Sequence, residues 1–105
     1  MNKFNIILVT AHDIKLARNL AKAALETKLA ACANIIPHVE SHYWWDEKIE
    51  NESEVLIFFK TSEKNIPELE RTICDLHTYD TPEFITVPMT AGNHRYLNWL
   101  SENMK

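Results

Sequence analysis

The chain is poor in the residues that most sequence-readable sites require. Of its 105 residues one is glycine, Gly92. Phosphate-cradling loops use Gly to bring backbone N–H groups onto the ligand. Neither a Walker-type nor a dinucleotide-type loop can be written on a single Gly, which excludes the commonest nucleotide-binding motifs. Two cysteines, Cys32 and Cys74, make no CxxC and no disulfide framework. That usage leads us to expect a reduced, cytoplasmic setting. No apolar stretch approaches the roughly 18 residues that span a membrane. Residues 1–11 lack the basic start and small-residue cleavage site of a secretory signal, and they read as a first strand. Lys and Arg never adjoin one another, and the formal net charge is -4. A nucleic-acid footprint needs a clustered basic surface, so that class is disfavoured.

What is present is an ordinary globular composition, 46% hydrophobic and 25% charged, of a length that makes one domain over residues 1–105. Ile6-Ile7-Leu8-Val9 is an unbroken apolar run of strand length, the pattern of a strand covered on both faces. Asp13 is a candidate N-cap. After it Leu16, Ala17, Leu20, Ala21, Ala24 and Leu25 recur at helical spacing, giving an amphipathic helix that ends near Lys28. Residues 62–77 read as a second helix, with Ile66, Leu69, Ile73 and Leu76 as its buried stripe. Pro67 implies an irregular first turn, because Pro has no N–H to donate. Residues 83–88 form a short strand, with Ile85 and Val87 on one face. Asn93 can cap a last helix whose apolar side is Tyr96, Leu97, Trp99 and Leu100.

Between the first two helices lies the most organised stretch, residues 31–61. Two long runs of β-branched and aromatic residues flank Asp46-Glu47-Lys48, which is a hairpin signal. A three-residue turn places Trp45 opposite Ile49 and Asn34 opposite Lys60. The base then carries Cys32, Asn34 and Lys60, and the tip carries Tyr43, Trp44 and Trp45. The arms exceed the usual five or six residues of a strand, so the tip projects and needs something to pack on. The element order is βαββαβ with a final helix. This predicts an α+β, ferredoxin-like split βαβ fold, an antiparallel sheet with helices on one face. Two helices cover one side of the sheet, while Val55-Leu56-Ile57-Phe58-Phe59 demands cover on both. The bare face is therefore expected to pack on further subunits.

Several ordered segments resemble one family. They are Val9-Thr10-Ala11 through Asp13; Leu29-Ala30-Ala31-Cys32-Ala33-Asn34-Ile35-Ile36-Pro37; Tyr43-Trp44-Trp45; Lys60-Thr61; His77-Thr78-Tyr79-Asp80-Thr81-Pro82-Glu83; and Tyr96-Leu97-Asn98-Trp99-Leu100. From about residue 4 to residue 101 the chain resembles the CutA divalent-cation tolerance proteins. The resemblance implies a tight homotrimer in which the hairpin reaches across to its neighbours. It also implies a cytoplasmic, non-enzymatic role in tolerance of, and response to, divalent metal ions, with copper binding. The family's copper site, as assigned in a bacterial member, uses a Cys in the first strand and two adjacent His ending the second helix. Those positions are Val9, Leu76 and His77 here, and one imidazole does not make a copper site of useful affinity. The family often has Gly in the hairpin turn, where this chain has Glu47, a residue that disfavours φ > 0.

Three function classes stay open on these residues. The first is a weak metal binder, with copper or another divalent cation on His77 and Cys32. The second is a trimeric signalling module taking a small anionic metabolite in inter-subunit clefts, with Asn34, Lys60, Tyr79 and Glu83 lining the pocket. The third is an enzyme using the same groups for acid–base chemistry. Each residue also has a plainer reading. His77 can favour a helix C-terminus through the dipole, Cys32 can be an inert buried thiol, and Lys60 can reach to water. Cys74, beside the second helix's stripe, reads as structural. The aromatic tip can stack bases, but the acidic balance makes subunit contact the better reading.

Overall fold

The computed structural model describes residues 3–105. Its elements are β1 (Phe4–Ala11), α1 (Ile14–Glu26), β2 (Cys32–Trp45), β3 (Lys48–Ser62), α2 (Ile66–Leu76), β4 (Ile85–Pro88) and α3 (His94–Glu102). One antiparallel sheet has the order β2-β3-β1-β4, the ferredoxin-like arrangement expected. Asp13 caps α1 by accepting a 2.8 Å bond from the Leu16 N–H. Asn93 caps α3 in the same way through the Tyr96 N–H at 3.0 Å. The irregular entry to α2 is a 3-10 turn at Glu63–Asn65, after which Pro67 falls in the first helical turn, where its missing N–H costs nothing.

Period-two alternation decides where the core sits. Ile7, Val9 and Ala11 of β1 and Val55, Ile57 and Phe59 of β3 point to the helices and are buried with Leu16, Leu20, Leu69 and Ile73. Their neighbours Ile6, Leu8, Leu56 and Phe58 point the other way, where no element covers them, and are only half-buried. On the same face Ile85 and Val87 of β4 are exposed. Thr61 joins the core because its hydroxyl donates to the Leu29 carbonyl at 2.6 Å. The C-terminus is pinned as well. The Lys105 N–H donates to the Lys28 carbonyl, and the Asn65 carboxamide donates to the Lys105 carbonyl.

The hairpin differs from the expected register. Its turn has two residues, Asp46 and Glu47, with φ of 52° and 64°. Two positive values in a two-residue loop match the strands' right-handed twist. Trp45 therefore pairs with Lys48, not Ile49. A bulge between Ile36 and Val39 inserts one more residue into β2, beside Pro37. Below it Cys32, not Asn34, faces Lys60, and Asn34 faces Phe58. The tip is bare: Trp44, Ile49 and Trp45 are 71%, 65% and 56% exposed.

Three burial expectations change. Leu100 is the one buried residue of α3, while Tyr96 and Trp99 lie outside, stacked on each other at 5.8 Å. Leu76, the last residue of α2, is exposed. Cys74 is exposed, not structural, and Cys32 is half-buried.

Candidate functional site: an acid-lined groove beside the hairpin

Beyond the bulge, the uncovered sheet face changes character. Glu54, Glu52 and Glu50 follow Leu56 on the same side of β3, two residues apart. Across the hairpin, Ser41 pairs with Glu52 and Tyr43 with Glu50. The loop after α2 brings Tyr79, Asp80, Thr81 and Glu83 over the end of β1 at Thr10. Together these residues and Trp45 line a groove of about 710 Å³. Volumes of this order hold small molecules.

His77 fixes the loop. Its Nε2–H donates to the Thr10 carbonyl at 2.7 Å, and its Nδ1 accepts from the Tyr79 N–H at 3.1 Å. Those bonds select one neutral tautomer and occupy both ring nitrogens. The ring packs on Tyr79, 4.6 Å between centroids. The Tyr79 hydroxyl then donates to the Glu54 carboxylate at 2.6 Å. Burial, followed by that bond and the charge of Glu54, raises the Tyr79 phenol well above its ordinary range. Glu83 is also raised, first by burial and then by Glu54. No Lys or Arg pairs with Glu50, Glu52, Glu54, Asp80 or Glu83 among the described residues. His42, at the groove's edge, turns to Glu40 at 2.6 Å.

The other sequence candidates form a separate group. Lys60 Nζ donates to the Tyr96 hydroxyl at 2.9 Å and lies 5.2 Å from that ring's centre. The hydrogen bond is the main cause of its raised pKa, with burial opposing. Cys32 sits opposite Lys60, and its thiol donates weakly to Asn34 at 3.5 Å. Lys60 pairs with Ile6 of β1, whereas Leu56, beside the groove, pairs with Thr10. Four residues of strand separate the two groups by about 13 Å. Within one chain the expected inter-subunit pocket residues fall in two places: Tyr79 and Glu83 line the groove, and Asn34 and Lys60 lie at the hairpin base.

Cys32 and His77 are separated in the same way, so they do not share a metal ion within one chain. The positions that the family resemblance implies for copper do not fit either. Val9 is fully buried core, Leu76 is exposed, and His77 has no free nitrogen. No group of three or more His, Cys, Asp or Glu residues able to hold a metal ion occurs among the described residues.

Glu50, Glu52 and Glu54 lie in the polar stretch before Val55, and only the loop's return brings Tyr79 and Glu83 into the same groove with them. Tyr96 as the partner of Lys60 had no sequence signal, being 36 positions away.

The fold and its groove can now be set beside known proteins. The family of CutA1 divalent ion tolerance proteins matches residues 5–103. This chain belongs to that family. It is 39% identical to the divalent-cation tolerance protein CutA of Thermus thermophilus over 98 residues, 93% of this chain and 95% of the relative. It is 37% identical to the chloroplastic protein CutA 1 of rice over 95% of this chain, but spans only 56% of that relative's length. The solved structure of the periplasmic divalent cation tolerance protein CutA from Archaeoglobus fulgidus superposes with a TM-score of 0.94 at 34% identity, covering 97% of this chain and 99% of that one. The chloroplastic and periplasmic relatives overturn the expectation of a cytoplasmic setting. One fold serves several compartments in this family, and the lack of a disulfide framework does not select among them. Among the described residues no helix is long and apolar enough to cross a membrane.

Proposed function

We propose that this chain acts in tolerance of divalent cations without catalysing a reaction, as a self-associating protein whose acidic groove gathers cations weakly. The family supports the tolerance role, since relatives carry that name. The observation that carries the cation reading is the convergence of five carboxylates, from Glu50, Glu52, Glu54, Asp80 and Glu83, with no Lys or Arg to offset them among the described residues. A negatively lined cleft raises the local cation concentration. Binding is weak because the carboxylates do not close into a coordination cage. Carboxylate oxygens suit hard ions such as Mg²⁺, Ca²⁺ and Mn²⁺ and give copper no privileged donors. An anionic metabolite is poorly served by the same lining. Within one chain Lys60, the cation expected to meet an anion, lies at the hairpin base and not in this groove.

The uncovered face of Ile6, Leu8, Leu56 and Phe58 and the aromatic tip of Tyr43, Trp44 and Trp45 support association of copies. The family resemblance supports a homotrimer as the form of that assembly. Each large apolar side chain buried there contributes about 1.5–3 kcal/mol. The test of the cation reading is calorimetric titration with Mn²⁺, Ca²⁺ and Cu²⁺ at constant ionic strength. We expect weak binding of all of them, reduced in Glu52→Gln/Glu54→Gln and unaltered in His77→Ala and Cys32→Ala. Tight uptake of one copper per chain that disappears in His77→Ala would refute it.

A further inference from the structure

The uncovered face of the sheet carries opposite charges at its two ends. At one end Lys60 follows Leu56 and Phe58 on the same side of β3, paired with Ile6 of β1 and with Cys32 of β2. Its ammonium gives one hydrogen to Tyr96 and keeps two, and no carboxylate pairs with it among the described residues. At the other end lie the groove carboxylates of Glu50, Glu52, Glu54, Asp80 and Glu83, which no Lys or Arg offsets among the described residues. Between the two ends run Ile6, Leu8, Leu56 and Phe58, with Ile85 and Val87 of β4 alongside. Six residues of strand hold Lys60 about 20 Å from Glu54, too far for a lysine side chain to cross within one chain. The groove also begins where the sheet narrows. β1 pairs with β3 from Val55 to Ser62, and Lys48–Glu54 runs on past it with β2 for about 23 Å.

We infer that the groove is completed by the Lys60 of a second copy: the acidic end of one sheet face lies over the Lys60 end of the next, head to tail. This rests on the self-association reading and not on the cation reading. A face with unlike ends can meet its copies in two ways. With the strands side by side in one direction, every Lys60 gathers at one end and every groove at the other, and the like charges oppose association. With the hairpin of each copy laid across the base of the next, the apolar strips still cover one another and each groove receives an ammonium. The projecting ribbon makes that crossing, and its bare Trp44, Trp45 and Ile49 gain cover from it. Tyr96 holds the ammonium at the base through its hydroxyl and the face of its ring, so the cation is in place before the copies meet. A head-to-tail contact joins unlike patches, the geometry that builds rings.

The test is analytical ultracentrifugation of the parent and two charge variants at low and high salt. Lys60→Glu should raise the dissociation constant of the assembly about tenfold or more, since it sets one carboxylate against the groove's others. Lys60→Glu/Glu52→Lys should recover most of that loss, and salt should weaken the parent by screening the contact. The two positions are eight residues apart on β3, so the recovery passes between copies and also shows that Lys60→Glu had not simply misfolded. A second measurement uses unaltered chains. Carbodiimide treatment of ¹⁴N and ¹⁵N parent chains refolded together should join Lys60 to a groove carboxylate in mixed-isotope peptides. A monomeric parent overturns this inference together with the self-association reading. An associated parent that Lys60→Glu leaves equally tight, or whose cross-links never join Lys60 to the groove, overturns this inference alone.

Discussion

The hairpin turn offers the sharpest quantitative test of the structure. Glu47 sits at φ 64° and Asp46 at φ 52°, with no glycine between the arms. A non-glycine residue in the left-handed region costs about 1–2 kcal/mol, and Asp bears it better than Glu because its short side chain bonds locally. Replacing Glu47 by Gly removes that cost but adds roughly 0.5–1 kcal/mol of backbone entropy lost on folding. Strain is the larger quantity, so Glu47→Gly should stabilise the chain by about 0.5–1 kcal/mol. In a domain of this size that is a rise of about 2–8 °C in melting temperature. Glu47→Ala is the necessary control: it deletes the same charge and retains the strain. Urea unfolding of the three proteins, at concentrations where light scattering gives them the same mass, separates the effects. The midpoint should rise for Gly alone, with an unchanged denaturant slope, because the surface exposed on unfolding stays the same. A Gly variant no more stable than the Ala variant refutes the claim that the turn is strained at Glu47.

Three further outcomes are expected. Phe58→Glu, on the uncovered sheet face, should return the protein to a light-scattering mass near 12.2 kDa, while the parent chain gives a multiple of it; a parent that already scatters as a monomer at micromolar concentration sinks the self-association reading. Thr61→Val should cost about 1–3 kcal/mol in urea unfolding, since it strands the buried Leu29 carbonyl, and an unchanged midpoint would show that carbonyl to be satisfied elsewhere. Burial raises the Glu83 carboxyl above its ordinary 4.5, so the folded state holds that proton more tightly than the unfolded state does. The penalty for its charge is therefore present in full above the folded pKa and is relieved as pH falls towards 4.5. Glu83→Gln should melt higher than the parent at pH 7, and the gap should narrow on acidification; a gap that widens has the wrong sign for this reasoning.

Local features read well from the residues alone because their causes are local. The Asp13 and Asn93 caps, the broken entry to α2 at Pro67 and the two long arms each depend on a few neighbouring side chains. The register did not, because it rests on turn geometry and one bulge. Glu47 argues against positive φ, yet the strand twist imposes it, and the shorter turn and the bulge beside Pro37 each move the partner of Cys32 by one position from the expected pairing. The candidate site suffered most. His77 is a sound metal-ligand candidate as a residue type, but the fold spends both of its nitrogens on Thr10 and Tyr79. Lys60 and Glu83 are both polar groups near strand ends, and the antiparallel order sends them to different ends of the face.

The sequence by itself determined the element order, the family and the presence of an apolar face that two helices cannot cover, because periodicity and composition act along the chain. Only the tertiary structure decided which side chains meet. Glu54 finds Tyr79 across 25 positions, and Lys60 finds Tyr96 across 36. Such encounters are set by strand register and loop return, where a shift of one residue moves a side chain to the opposite face of the sheet.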